Sequence, residues 1–190
     1  MLRNSATYDQ NSVRLNVEGL ADFSRGQEQA AIGIISSWKL QIIGFAELEG
    51  KREHLESFIH VIMEYTRYYL VGIKKSIYSP SNNVVIQPDG LLHKLILKSS
   101  KPSIKPLEIR LDDAELVDLT RAFDQLMNDP KVKLKWNFPK SKVITKREIE
   151  GAYSIYKRFG YSTLGLISLI VFSGIFNLIP YENGINIRPR

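Results

Sequence analysis

An α+β fold is what this 190-residue sequence predicts: a two-layer domain with an antiparallel or mixed sheet and two helices, followed by one C-terminal transmembrane helix. Three observations predict it. Short segments alternate apolar and polar residues, and two stretches place apolar residues at steps of three and four. Residues 159–181 then form a run of 23 without Asp, Glu, Lys, Arg or His. At about 1.5 Å per residue that run spans about 34 Å as a helix, enough for a hydrocarbon core of roughly 30 Å.

In chain order, residues 1–10 are polar and lack the apolar stretch of a signal peptide, so insertion is expected to depend on the C-terminal run. Val13, Leu15 and Val17 alternate as a half-buried strand does, and Glu18 with Gly19 reads as a turn. Residues 30–45 read as a long strand, with Trp38, Leu40 and Ile42 on one parity and Ile43 and Phe45 on the other; Gly44 marks a bulge or a strand end. Over residues 51–73 the period becomes helical, placing Leu55, Phe58, Ile59, Ile62, Thr66, Tyr69 and Ile73 on one face.

Strands over residues 84–86 and 91–97 flank Gln87-Pro88-Asp89-Gly90, whose Pro-Asp-Gly suits a tight turn, so a hairpin is expected. Leu107, Ile109 and Leu111 alternate in a further strand. Asp112 then caps a helix with Asp113 and Glu115 in its first turn and a buried stripe of Leu116, Leu119, Ala122, Phe123 and Leu126. Asn128, Asp129 and Pro130 stop that helix. Val132, Leu134 and Trp136 alternate with Lys131, Lys133 and Lys135, which predicts a final edge strand guarded by lysines. The expected divisions are a soluble domain over 1–138, a basic juxtamembrane linker over 139–158, the span over 159–181 and a short tail over 182–190.

The net charge of +6 is local. Residues 1–130 hold 15 Lys and Arg against 17 Asp and Glu, whereas residues 131–158 hold nine against two. Lys131, Lys133, Lys135, Lys140, Lys142, Lys146, Arg147, Lys157 and Arg158 therefore read as a membrane-surface site. Basic side chains beside a span resist translocation and attract anionic headgroups, which places the N-terminal domain in the cytoplasm. A nucleic-acid arm would interleave such charges with stacking aromatics, and only Trp136 and Phe138 supply these, so nucleic acid is disfavoured.

No cysteine is present, which removes disulfides, thiolate chemistry and the usual structural zinc sites. His54 and His60 lie six apart on one predicted helix, off the spacing that chelates a metal, and His93 stands alone. The acidic pairs Glu53 with Glu56 and Asp112 with Asp113 are explained by helix starts, and no phosphate-binding glycine motif occurs. No catalytic residue, cofactor site or metal site is assigned. Tyr65, Arg67 and Tyr68 are the candidates for contacting a protein partner: three tyrosines, including Tyr69, over five helical residues cannot all face a core, so Tyr68 is expected at the surface.

The order and spacing of Val17-Glu18-Gly19-Leu20 with Asp22, Arg52-Glu53, Leu55-Glu56-Ser57, Ile109, Leu111, Leu116, Asp118-Leu119, Ala122 and Asp124-Gln125 resemble an uncharacterised family of cyanobacterial proteins, the domain-of-unknown-function 4335 type. The resemblance covers most of residues 12–136. It implies a cyanobacterial source, a membrane anchor and hence a thylakoid or plasma membrane, and it implies no mechanism. The sequence thus points to a non-enzymatic, membrane-tethered interaction or assembly module that binds anionic lipids and a membrane protein or complex. The alternative is a membrane-associated RNA- or ribosome-binding factor using the same basic stretch.

Overall fold

In the computed structural model, which describes residues 3–99, 103–152, 165, 167–169 and 172, the strands divide between two four-stranded antiparallel sheets. The first is a meander of β1 (Asn4–Asp9), β2 (Val13–Leu20), β3 (Ile34–Ile42) and β4 (Leu48–Gly50), followed by α1 (Arg52–Leu70). The second is a meander of β5 (Ile77–Tyr78), β6 (Val84–Asp89), β7 (Leu92–Leu97) and β8 (Leu107–Leu111), followed by α2 (Asp113–Asn128). The single sheet expected from sequence is therefore corrected to two. Alternation marks a strand but carries no record of which distant strand it pairs with.

Both helices serve both sheets. α1 packs on β3 of the first sheet and on β5 and β6 of the second, α2 packs on β1 and β2 and on β7 and β8, and the helices touch each other. One core results, with Leu15, Leu40, Leu55, Ile62, Ile86, Leu95, Ile109 and Phe123 buried together. Each such side chain contributes about 1.5–3 kcal/mol on burial. Phe58 links the layers, stacked 6.5 Å from Trp38 and meeting Phe123 edge-on at 5.6 Å.

Several boundaries follow from local chemistry. β2 does not turn at Gly19 but continues through a bulge at Glu18/Gly19, where β3 passes so near that an added Cβ would lie 2.3 Å from Ile34 O. Only glycine fits that approach. Pro88 sits inside β6, past the reach of the two-residue β5, so its missing N–H removes no ladder bond; the hairpin turns at Gly90, φ +66°.

α1 ends in a Schellman motif, with Gly72 at φ +78°, Gly72 N–H donating to Tyr69 O at 2.9 Å and Ile73 N–H to Tyr68 O at 3.0 Å. α2 opens with the expected cap, reinforced reciprocally: Glu115 N–H donates to Asp112 Oδ1 at 2.7 Å and Asp112 N–H to Glu115 Oε2 at 2.9 Å. β1 was not foreseen, because only Ala6 and Tyr8 of its six residues are apolar.

Residues 131–136 form no strand. Beyond one parallel bridge between Ile32 and Val132 they run as an extended strap. The first compact unit ends at Thr145, and the second, residues 146–190, contains α3 (Lys146–Ala152). Among the described residues no helix is long and apolar enough to cross a membrane. The expected span lies outside the described residues except for Gly165, Ile167, Ser168, Leu169 and Phe172, which are helical and exposed.

Candidate functional site

The aromatic cluster of α1 is part of the core. Tyr65 and Tyr68 are each only 2% exposed, so the expectation that Tyr68 stands at the surface is corrected. The cause is the second sheet, which covers the flank of α1 that helical periodicity alone leaves to solvent. Arg67 and Lys75 lie over the Tyr68 ring, 5.6 and 4.6 Å from its centroid. Of the three partner candidates, only Arg67 reaches the surface.

Tyr65 leads into a polar chain that sequence reasoning missed. Its hydroxyl meets His93 Nδ1 at 2.8 Å, His93 Nε2 meets Asp113 Oδ1 at 2.8 Å, and the Tyr69 hydroxyl donates to the same carboxylate oxygen at 2.8 Å. His93, from β7, is 2% exposed, while Asp113, in the first turn of α2, is largely in water. The bonds from His93 and Tyr69 hold the Asp113 carboxyl below its usual range, so it accepts. In the neutral imidazole that bond puts the proton on Nε2 and leaves Nδ1 to accept from Tyr65. Burial, with the nearby Tyr69 and Asp113, pushes the Tyr65 phenol up to about 12. The chain is thus wired like a proton relay, yet its terminal phenol stays protonated and closed to solvent. A lone histidine in an apolar strand, His93 between Leu92 and Leu95, was the available signal.

The basic stretch is positioned by the strap. Ile32 N–H donates to Lys131 O at 2.8 Å, Lys133 N–H to Ile32 O at 3.0 Å and Gln27 Nε2 to Lys133 O at 3.0 Å. Arg52 reaches Lys135 O, and Arg67 Nη2 reaches Lys142 O at 2.5 Å. Period-two alternation then decides what faces out. Val132, Leu134, Trp136 and Phe138 turn onto the core, while Lys131, Lys133 and Lys135 are exposed. Lys140 and Lys142 are exposed further along, as are Lys146 and Arg147 in the second unit; Lys157 and Arg158 lie outside the described residues.

Between the strap, α1 and α2 lies an open cavity of about 440 Å³ with mainly apolar walls. Ile59, Met63 and Leu70 of α1, Met127 of α2 and Phe138 of the strap supply them. His60 also lines the cavity, and burial pulls its pKa down against the opposing charge of Glu64.

The remaining sequence candidates are accounted for locally. Glu56 pairs with Arg52 at 2.9 Å, and Asp112 is a cap. Glu18 and Asp118, two carboxylates far apart in the chain, have separate partners. Glu18 takes Arg3 and Ser37, whereas Asp118 is buried and accepts from Ser12 N–H at 2.9 Å and Ser12 Oγ at 2.8 Å. Among the described residues no three His, Asp or Glu side chains are grouped to hold a metal ion.

Paired antiparallel meanders with shared helices, carrying an extended strap and a row of exposed lysines, define an α+β domain with a basic surface. The chain belongs to the family described as Domain of unknown function (DUF4335), whose model matches residues 6–181. No curated protein matches it. Among solved structures it is similar to a protein with unknown function from the DUF155 family of Prochlorococcus sp. NATL2A, at 14% identity and a TM-score of 0.40, over 67% of this chain and 100% of that one. That likeness is too slight to bear on fold or function.

Proposed function

We propose that this chain is a non-enzymatic interaction or assembly module tethered to a membrane by residues 159–181, with its N-terminal domain on the cytoplasmic side. The observation that carries the reading is the strap. It is hydrogen-bonded to the domain along its length, so its lysines form a fixed row, and a fixed row of like charges meets an anionic surface without the ordering cost of a flexible tail. Each lysine near such a surface contributes about 1 kcal/mol. The resemblance to cyanobacterial proteins supports a thylakoid or plasma membrane as the site. Tethering raises the domain's effective concentration for a membrane protein or complex without adding contacts.

The test is flotation of the full-length protein with phosphatidylglycerol vesicles and, in parallel, with phosphatidylcholine vesicles. Reversal of Lys131, Lys133, Lys135, Lys140 and Lys142 to Glu is expected to remove the preference for the anionic vesicles while leaving carbonate-resistant association intact. Release of the unaltered protein by carbonate would contradict the anchor, and an unchanged lipid preference would contradict the role of the strap. Displacement from anionic vesicles by RNA at equal phosphate concentration would favour the nucleic-acid alternative.

A further inference from the structure

We propose that the outer edge of β8 pairs with the same edge of a second copy of this chain, the two strands running antiparallel about a two-fold axis at Ile109 and joining both second sheets into one continuous sheet. This does not rest on the membrane reading. β8 is the last strand of its sheet: its register with β7 is unbroken from Leu107 to Leu111, and among the described residues no backbone bond runs outward from it. Such an edge presents a row of N–H and C=O groups that another strand can pair. Within Leu107–Leu111 there is no proline, lysine or bulge, the usual devices that keep an edge from pairing.

The sequence of the edge selects the occupant. Leu107-Glu108-Ile109-Arg110-Leu111 is symmetric in polarity about Ile109, with charges of opposite sign on either side of it. In antiparallel pairing about that centre Leu107 stands opposite Leu111 of the second copy, Glu108 opposite Arg110, and Ile109 opposite its own counterpart. Directly opposed side chains share a face, so the apolar residues meet on the helix-covered side, where Ile109 and Leu111 are buried and Leu107 is 43% exposed. The ions meet on the outer side. There Lys94 Nζ lies 2.8 Å from Glu108 Oε2 and Arg110 Nε 3.4 Å from Asp89 Oδ2, so pairing builds a row of alternating sign: Lys94, Glu108, then Arg110 and Asp89 of the second copy. Moving the centre to Glu108 or to Arg110 sets like charges face to face, and a shift of half that step opposes apolar to polar residues, so the register is specified. β1, the other long edge, carries Asp9 as its sole charge, and no register of it pairs opposite charges. A patch that complements itself about a two-fold axis closes as a dimer.

The experiment is sedimentation velocity of the full-length protein in mild detergent, unaltered and as Glu108→Lys and Arg110→Glu, each variant alone and the two mixed. The unaltered protein is expected to dimerise as its concentration rises. Each variant alone sets two like-charge pairs across the axis and should dimerise about tenfold more weakly. In the mixture every cross-strand pair is again of opposite sign, so dimers should return, a rescue that local damage to either variant would not give. Register is read separately. The chain has no cysteine, so Glu108→Cys mixed with Arg110→Cys under oxidation should give a disulfide-linked pair in excess over either variant alone, because opposed α-carbons about 4.5–5.5 Å apart lie within disulfide reach. Thermal melts confirm that each variant folds, and if a charge variant does not, the cysteine pair decides. A protein monomeric at every concentration, a dimer indifferent to the charge variants, no recovery on mixing, or no excess of the cross-link between positions 108 and 110 would overturn the proposal.

Discussion

The two flanks of α1 carry similar residues and do opposite things. On one, Phe58, Ile62, Tyr65 and Tyr68 are sealed against both sheets, and the polar atom of Tyr65 is consumed by His93. On the other, Met63, Arg67 and Leu70 border the cavity beneath the strap, where Leu70 is 77% exposed and Arg67 keeps an unpaired donor. Aromatic content therefore marks framework here.

Breaking the sealed flank should have the largest effect. Phe58→Ala removes the ring joining Trp38 to Phe123 and is expected to cost about 3–5 kcal/mol in chemical denaturation, with the Trp38 fluorescence changed. Tyr65→Phe is milder: it leaves His93 Nδ1 without its donor and should cost about 1–3 kcal/mol. Tyr65 also sets an alkaline limit. Its folded pKa lies above the unfolded value near 10, so its contribution is complete below pH 10 and is lost as pH rises through about 12. Tyr65→Phe should flatten that part of the stability profile. Asp113 acts at the acid end, where its lowered pKa makes its contribution present above the unfolded carboxylate value and lost as pH falls through the folded one. On the open flank, Leu70→Ser should change stability by less than about 0.5 kcal/mol. A loss comparable to that of Tyr65→Phe would show that the two flanks are not divided in this way.

How far the sequence could be read follows the range of the interactions involved. The Asp112 cap, the α2 stripe, the Gly90 hairpin and the start of α1 depend on neighbours within a few residues, and each is legible. The end of α1 at Gly72 was legible too, but the apolar Ile73 masked it by continuing the period. Pairing into two sheets, the burial of Tyr68 and the link from Tyr65 through His93 to Asp113 join segments that alternation and helical period do not connect. The alternation of the lysine row is legible, but it reads as an edge strand, and residues 131–136 form none. That it would be pinned through backbone bonds to Ile32, Gln27, Arg52 and Arg67, with no strand beside it, depends on side chains as far as 106 residues away.

The most direct test of the divided helix is nitration of the native full-length protein by tetranitromethane, with sites read by mass spectrometry. Tyr78, 56% exposed, should be modified readily while Tyr65 and Tyr68 stay unmodified until the domain unfolds. Nitration of Tyr68 at the rate of Tyr78 in the folded protein would contradict the account and return the aromatic cluster to the surface.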